Sequence, residues 1–415
     1  MKVLLVTMYF PPAGGGGVQR PLKTATHLPA LGIETHVLAP DDPKWLHRDD
    51  ELRTPTQAFV HRARYLGPRA RLPAEELHGL EGTDRLVAQA KLAYRRLLLP
   101  DASVTWVPTA VPAAVRIVRR EGIDAVITTS PPVSMNLIGA AVKRLTGIAW
   151  VADLRDAILL NADRRFDRTV VQAKEKALEG IVRHVARSAD AVVAVSETIA
   201  DEVRRYDPAG PVRVIPNGCD FDDFAGLDYR SGDRFRITHA GSFFGQRNPR
   251  PFLSALASTG LDDVVARFAG GLRAADEEWA ATLGLGDRLE LLPYLPHREA
   301  LELQRDSEAN LLLLPEADGR GAVVPSGKIF EYLAAERPIL AAVPPDGAAA
   351  KLVRETGAGI VVAPEDEKGI REAIRGLHAR WKAGRLGNGY LSPEQRQELS
   401  REARVEELAE LLWSL

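Results

Sequence analysis

Residues suited to phosphate binding lie in the segment from Pro325 to Lys328. A helix is predicted directly after the serine of this segment, which is a suitable N-cap, so that amide N–H groups face outward beside the lysine. The segment is not a P-loop, because Ile329 stands where the magnesium-binding Ser or Thr belongs. We therefore expect a diphosphate site at Ser326, Gly327 and Lys328.

Carboxylates in two places could contact hydroxyl groups. Glu331, one helical turn beyond Lys328, could accept two hydrogen bonds from a ribose diol. Asp153 and Asp156 follow a predicted strand, at the carboxyl edge where doubly wound folds bind ligands. Together with Arg155 they could orient hydroxyls or act as a base, and a structural ion pair is the alternative.

A run of four glycines, Gly14 to Gly17, follows the first predicted strand and precedes a helical pattern. Backbone N–H groups at such a turn favour an anion. A dinucleotide fingerprint fails, because Gln19 stands where its third glycine belongs. We interpret the run as backbone clearance near a ligand, with a flexible turn as the alternative.

An Asp-x-Asp pair at Asp220 and Asp222 resembles the metal-binding pair of glycosyltransferases of another fold. It follows Asn217-Gly218 in a boundary rich in turn residues. A turn is therefore the favoured interpretation, and we expect no metal site there.

Short apolar runs alternate with helical periodicity, which predicts two doubly wound parallel sheets. Pro and Gly cluster between Tyr206 and Asp228, which marks the break between them. We expect domains at 1–207 and 208–392, and a final helical segment that returns to the first domain at 393–415. The predicted strands are 3–7, 34–39, 125–129, 149–152 and 191–195, then 235–239, 265–269, 289–292, 310–314, 339–342 and 359–362.

The 415 residues exceed what one core can organise. A balance of 54 Lys and Arg against 56 Asp and Glu supplies no global field for nucleic acid. The single cysteine, Cys219, excludes an internal disulfide, and no stretch approaches 18 apolar residues. These features predict a cytoplasmic protein.

The stretch from about 53 to 100 departs from the βαβ rhythm. Between positions 53 and 96 it holds nine Lys or Arg and four acids, and a helix predicted over 84–99 carries Leu86, Ala90, Ala93 and Leu97 on one side. The pattern favours an insertion with a solvated basic face. The alternative is a surface for an anionic acceptor or lipid, which would place the protein peripherally at the inner face of a membrane.

Several stretches together resemble the family-4 retaining glycosyltransferases, whose GT-B architecture has two Rossmann-like domains facing each other across a cleft. Their order and spacing carry the resemblance. The stretches are Pro11-Pro12 with Gly14 to Arg20, Pro100-Asp101 with Trp106, Thr129 to Pro132, Asp153 to Asp156, Val195 to Glu197, Ile215 to Asp220, Ala240 to Ser242, and Pro325 to Tyr332 leading into Pro338-Ile339-Leu340.

The resemblance implies roles for cationic and glycine residues. The amides of Gly16 and Gly17 would approach the donor diphosphate or the acceptor. Arg247 stands where the family usually has a phosphate-binding lysine, and it would hold the diphosphate with Lys328. The amides of Gly327 and Lys328 would cap the same group.

The resemblance also implies where the nucleoside binds. Glu331 matches the second Glu of the family's Glu-x7-Glu motif, which usually binds the nucleotide ribose. The base is expected at Leu295, Pro296 and His297.

Two positions depart from the family pattern. Val323 occupies the place of the first Glu of that motif, which contacts the sugar in many members, and Ser242 stands where many members have an Arg. The sequence therefore resembles the branch with a Pro-Ser-x-Lys-x-x-Glu-Tyr motif. The donor sugar is not implied.

The resemblance thus implies a retaining transferase that moves a sugar from a nucleoside-diphosphate sugar, foremost a UDP-sugar, to a hydroxyl acceptor, which could be a sugar, a lipid-linked or a small molecule. No metal or other cofactor is expected. Asp153, Arg155 and Asp156 are the expected catalytic residues: the two aspartates would position the acceptor, and Arg155 would either bridge them or meet an anionic group of the acceptor. The alternatives are a sugar-nucleotide 2-epimerase of the same fold, a glycoside hydrolase, and a non-catalytic nucleotide-sugar binding protein.

Overall fold

The computed structural model describes residues 1–42, 48–67, 81–159, 169–243, 246–323, 326–387 and 390–415. The chain forms two compact units. The first comprises Met1–Asn217 with Glu402–Leu415, and the second comprises Gly218–Arg401. The division falls inside the segment rich in Pro and Gly that marks the break in the sequence.

The strands alternate with helices along both units, as the apolar pattern predicts. The strands are β1 (Lys2–Val6), β2 (Glu34–Pro40), β3 (Phe59–Ala63), β4 (Ala125–Ser130), β5 (Ala149–Leu154), β6 (Ala191–Ala194), β7 (Val212–Val214), β8 (Phe235–Ala240), β9 (Val264–Ala269), β10 (Leu289–Leu292), β11 (Ala309–Leu313), β12 (Ile339–Ala342) and β13 (Gly359–Val362).

The helices follow in the same way. They are α1 (Gln19–His27), α2 (Gly82–Leu97), α3 (Val107–Glu121), α4 (Ser134–Thr146), α5 (Thr169–Ser188), α6 (Glu197–Arg204), α7 (Arg250–Ala257), α8 (Ala274–Ala281), α9 (His297–Arg305), α10 (Gly327–Ala334), α11 (Ala348–Thr356), α12 (Glu367–Lys382), α13 (Pro393–Leu399) and α14 (Arg401–Trp413).

Each unit is built on one parallel sheet within the described residues. The first sheet has the order β3-β2-β1-β4-β5-β6-β7, and the second has the order β10-β9-β8-β11-β12-β13. Chain reversal at the helix ends uses glycine: α3 and α4 end at Gly122 and Gly147, whose φ values of 68° and 79° are left-handed. Because the strands of each sheet are parallel, all of their carboxyl ends lie at one edge of that sheet.

Two apolar cores flank the first sheet, because alternate strand residues point to opposite faces. Leu4 and Val6 belong to one core, and Val3 and Leu5 belong to the other. The second core also contains α14, through Leu412 and its neighbours. The second sheet is likewise covered on both faces.

The structure differs from the predicted elements at three places. Strands β3 and β7 were not expected, and both lie at edges of the first sheet. Strand β7 pairs with β6, so the first sheet extends beyond position 207. The final segment is two helices, of which α13 lies in the second unit and α14 packs in the first.

No helix of the described ranges is long and apolar enough to cross a membrane.

We expect Leu412→Ala to destabilise the first unit by about 2–5 kcal/mol, because the side chain is 1% exposed and its loss leaves a cavity. Its neighbour Trp413 is 56% exposed, so Trp413→Ala should change stability by about 0.5 kcal/mol or less. Urea denaturation of both variants measures this difference. Equal stability of the two variants would show that α14 is not part of the core.

Candidate functional site

A buried ion pair holds the carboxyl edge of the first sheet. Asp153, on β5, accepts a hydrogen bond of 2.8 Å from Nη2 of Arg20 and two of 3.2 Å from Nε. The Arg20 guanidinium also donates to the carbonyl oxygens of Ile215 and Pro216, at 3.1 and 3.0 Å. The pair thereby ties the start of α1 to two distant parts of the chain.

Asp153 is 6% exposed, and both of its oxygens accept from Arg20. The sequence left two interpretations open for this residue, an acceptor contact and a structural ion pair. The geometry favours the ion pair, because both carboxylate oxygens are engaged by the Arg20 guanidinium. Asp156, by contrast, is exposed.

Arg155 fixes the glycine loop. Its Nη1 donates to the carbonyl oxygen of Gly17 at 2.6 Å, and its Nη2 donates to that of Pro131 at 2.8 Å. Burial lowers the pKa of the Arg155 guanidinium, and the nearby Asp156 and Asp153 oppose that shift. Its buried Nε has no hydrogen-bond partner among the described residues, so one donor remains for a ligand.

The glycine loop itself is open at one position. Gly16 is exposed, and a Cβ there would meet nothing within 4 Å. A Cβ at Gly17 would lie 3.4 Å from the ring of Tyr9, which is ordinary contact. Gly15 has a φ of 88°, which accounts for one glycine of the run by conformation.

In the second unit, Lys328 crosses the end of β8. A Cβ on Gly241 would lie 2.3 Å from the lysine Cε and 2.5 Å from its Nζ. Gly270, which follows β9, is also closely surrounded, since a Cβ there would lie 3.0 Å from the backbone of Gly241 and Ser242. Gly241 therefore creates the space in which the lysine of α10 reaches the carboxyl edge, and Gly270 allows the backbone after β9 to lie close to Gly241.

The surroundings of Lys328 disfavour the charged form of its side chain. Burial lowers the pKa of its ammonium to about 8, the nearby Arg247 contributes in the same direction, and Glu331 opposes them. Two cations thus lie near each other in a partly desolvated place. An anion at this point would relieve both the desolvation and the repulsion.

His239, on β8, lies against the same place. Its Nδ1 is 2.9 Å from the carbonyl oxygen of Leu311, which assigns the proton to Nδ1. Burial, with Lys328 next, lowers its pKa to about 3, so the ring is neutral. Its Nε2 has no hydrogen-bond partner in the part of the chain that the structure describes.

Glu331 and His297 lie together. Nε2 of His297, at the start of α9, is 3.9 Å from Oε1 of Glu331, and Gln304 donates to Oε2 at 3.1 Å. Burial raises the pKa of Glu331, but the bonds from His297 and Gln304 and the charge of Lys328 outweigh it and lower the pKa. Glu331, the expected ribose residue, thus lies close to His297, one of the expected base residues, and Leu295 and Pro296 before His297 are half-buried.

The start of α10 is exposed at Gly327, where a Cβ would meet nothing within 4 Å. Ser326 is the N-cap residue, but its side chain makes no capping hydrogen bond. Tyr332 anchors the other face of the helix, since its hydroxyl accepts from the amide of Ala240 at 3.3 Å. The motif's Pro325 lies outside the described residues.

The first residue of the Asp-x-Asp pair has a partner within the same unit. Asp220 accepts from Arg401 at 3.2 Å, and the pair opens a 3₁₀ helix, Phe221–Phe224. This geometry agrees with the turn interpretation.

Sequence reasoning missed four residues of these two edges. Arg20, Gln304, His239 and Gln19 lie within helices or strands as polar groups at buried positions, and the buried Oε1 of Gln19 has no hydrogen-bond partner within the described ranges. In the sequence, the signal for such a residue is a polar side chain within an otherwise apolar pattern. This signal is not specific, because polar residues at solvent-exposed positions interrupt apolar patterns in the same way.

The chain has two parallel-sheet units, each with polar and charged side chains at the carboxyl edge of its sheet. This fold is that of the GT-B glycosyltransferases. A sequence model described as Glycosyltransferase Family 4 matches residues 14–223, just over half of the chain. The chain belongs to this family and is a glycosyltransferase. A search of curated protein sequences finds no significant match.

Solved structures resemble the whole chain. Sucrose-phosphate synthase from Thermosynechococcus elongatus has a TM-score of 0.67 at 18% identity, with 100% of this chain and 98% of that chain covered. Anabaena Alr3699/HepE in complex with UDP has 0.65 at 15%, with both chains fully covered. A glycosyltransferase from Rickettsia africae has 0.60 at 12%, with 99% and 97% covered. At these identities the likeness shows the fold.

We expect Asp153→Asn to destabilise the first unit by about 3–5 kcal/mol, because the substitution leaves the buried Arg20 without a counter-charge. Asp156→Asn, at an exposed position, should cost about 0.5 kcal/mol or less. Urea denaturation compares the two. The double variant Arg20→Met with Asp153→Leu should recover much of the loss, and a fully additive loss would contradict the pairing.

Lys328→Met should stabilise the ligand-free second unit at pH 7. A folded-state pKa of about 8, below the usual value of 10.5, means that the charged lysine destabilises the fold below pH 8 and that this cost disappears between pH 8 and 10.5. We expect a melting temperature about 2–4 °C higher, the size of shift that about 1 kcal/mol gives.

The exposed Lys351 provides the matched control for that measurement, since its side chain is 75% exposed. Lys351→Met should leave the melting temperature unchanged at pH 7. If Lys328→Met lowered it, the lysine would be stabilising as it stands and the anion site would lose its main support.

Proposed function

We propose that the protein is a retaining, metal-independent glycosyltransferase that uses a nucleoside-diphosphate sugar, with UDP as the nucleotide. One observation carries the proposal: Lys328 crosses Gly241 beside Arg247 and the open start of α10, with its pKa lowered to about 8. Two cations held this close favour an anion between them, and a diphosphate supplies one.

The neighbouring carboxylate supports a nucleoside next to that diphosphate. Glu331 lies one helical turn from Lys328 and is held by Gln304 and His297. Its pKa is lowered, so it is an ionised acceptor suited to a ribose diol. Leu295 and Pro296 would offer an apolar surface to the base.

UDP is the favoured nucleotide because of the similar structures. Anabaena Alr3699/HepE, which this chain resembles over its full length, has been solved with UDP and with UDP-glucose. The sugar stays open, because the first Glu of the family motif is replaced by Val323.

In the reaction, the bond between the anomeric carbon and the phosphate oxygen breaks, and its electron pair stays on the phosphate. Arg247, Lys328 and the amides of Gly327 and Lys328 would stabilise that developing charge, each by about 3 kcal/mol. These cations take the part that a divalent ion takes in other transferases, and for this reason we propose a metal-independent reaction.

Retention follows if the acceptor hydroxyl attacks the face that the phosphate leaves and gives its proton to that phosphate. The geometry of the first unit supports this route, since Asp153 is engaged by Arg20 and is not offered as a nucleophile. We assign Asp153 a positioning role through Arg20. Arg155 and the exposed Asp156 are the proposed acceptor contacts, and the Gly16 and Gly17 amides are proposed to bind an anionic group.

Product analysis tests this function. Incubation of UDP-sugars with hydroxyl acceptors should give a product with the anomeric configuration of the donor by NMR, and activity should persist in EDTA. Inversion, or loss of activity that added metal restores, would contradict the proposed chemistry. Formation of an epimer from donor alone would identify an epimerase instead.

UDP binding should weaken as the pH rises through 8. The diphosphate favours the protonated lysine, and with a free-state pKa of about 8 only about a tenth of Lys328 is charged at pH 9. We expect calorimetry to show affinity about tenfold weaker at pH 9 than at pH 7, with proton uptake on binding at pH 8.

Lys328→Arg is the control, because arginine stays protonated throughout this range. Its UDP affinity should be independent of pH between 7 and 9. A wild-type UDP affinity that is the same at pH 7 and pH 9 would contradict a role for Lys328 in binding the diphosphate. A Glu331→Ala variant that loses UDP affinity equally at both pH values would not contradict that role.

A further inference from the structure

Helix α2 presents most of its large apolar side chains to solvent. Leu86, Val87, Tyr94 and Leu97 are 65, 52, 54 and 76% exposed. At 3.6 residues per turn they fall on one side of the helix, which we call the apolar stripe. Exposed large apolar residues scattered singly are normal on a protein surface, but four on one helix face form a patch that calls for a partner.

The opposite side of α2 faces the protein. Ala88 is buried, and Leu92 and Arg95 are half-buried, at the i, i+4 and i+7 spacing of one helix face. A helix that served only to cover a core would place most of its large apolar residues on that face. Leu92 is the one large apolar residue among these three, whereas the stripe holds four, and the exposed Ala90 and Ala93 extend the same solvent-facing surface.

The charges of α2 indicate what covers the apolar stripe. The helix has four basic residues against one acidic residue, Asp84, which lies in its first turn. Arg85 and Lys91 are both exposed; Lys91 borders the stripe beside Val87, whereas Arg85 lies on the other flank, close to the protein-facing side. An apolar face flanked by cations is the composition of helices that lie in the interface of an anionic bilayer, with the side chains in the acyl boundary and the cations at the headgroups.

A second copy of the chain is a poorer partner for this surface. Pairing of two α2 helices through their apolar stripes would bring their basic flanks together, and like charges placed across an interface are repulsive. An anionic lipid surface instead complements both features at once. The stripe is also long enough to hold a helix in the plane of a bilayer, because Leu86 and Leu97 lie about 16 Å apart along the helix axis.

We propose that α2 docks on an anionic phospholipid bilayer, with the apolar stripe inserted below the headgroups and Arg85 and Lys91 against the lipid phosphates. The sequence pattern favoured a solvated basic face and kept a lipid surface as the alternative; the exposed apolar stripe supports that alternative. The surface acts without donor or acceptor, so its test is independent of the proposed function.

Co-sedimentation with vesicles tests the docking on the full chain. Vesicles of phosphatidylglycerol and phosphatidylcholine in equal parts should bind the protein, and vesicles of phosphatidylcholine alone should bind it much less. Leu86→Ser with Leu97→Ser should lower partitioning by at least about tenfold, because two leucines no longer leave water. Arg85→Gln and Lys91→Gln should each lower it by about fivefold, and added salt should do the same.

Leu145→Ser is the matched control, since Leu145 is a leucine on α4 with 53% exposure. It should leave partitioning unchanged, and the melting temperatures of all variants should match the wild type because the altered side chains are exposed. The proposal is overturned by equal binding to both kinds of vesicle, by wild-type partitioning of the double serine variant, or by sedimentation showing a dimer that this variant dissociates while vesicle binding persists.

Discussion

A partly desolvated positive charge beside a like charge, at the carboxyl edge of the second sheet, is the constraint around which that unit is arranged. Lys328 reaches this edge because Gly241 has no side chain, and Gly241 can take its conformation, with a φ of 135°, because it is glycine. Burial and the like charge of Arg247 together lower the pKa of the Lys328 ammonium group. The fold thus carries a local electrostatic cost that a bound anion would remove.

In the first unit, by contrast, the buried charges are paired with each other. Arg20 and Asp153 neutralise each other, and the remaining guanidinium donors are satisfied by carbonyl oxygens of a segment far along the chain. Removal of either partner would leave the other as an uncompensated buried charge. Beside it, Arg155 holds the glycine loop and keeps one donor unused within the described residues. The edge therefore combines a rigid frame with a few groups left for a ligand.

The elements that the sequence predicted well are the ones buried on both faces. Interior strands such as β12 read as continuous apolar runs, and the bounds of β12 agree with the prediction at 339–342. The unexpected edge strands carry a weaker signal: β3 has the sequence Phe-Val-His-Arg-Ala and is partly exposed, and β7 has three residues. Helix α2 was predicted, but its orientation was not, because amphipathic periodicity does not say which face meets the protein.

The sequence by itself determined the fold class, the family and the residue types that we propose for a diphosphate site, because periodicity, glycine positions and motif spacing are local properties of the chain. Tertiary structure alone decided which charges are paired. Asp153 and Arg20 are 133 positions apart, and Gln304 and Glu331 are 27 apart, so no local pattern relates them. The tertiary structure also decided that Lys328 lies against Gly241. The lowered pKa of Lys328 follows from this position, because desolvation and the proximity of a like charge depend on what surrounds a side chain in space.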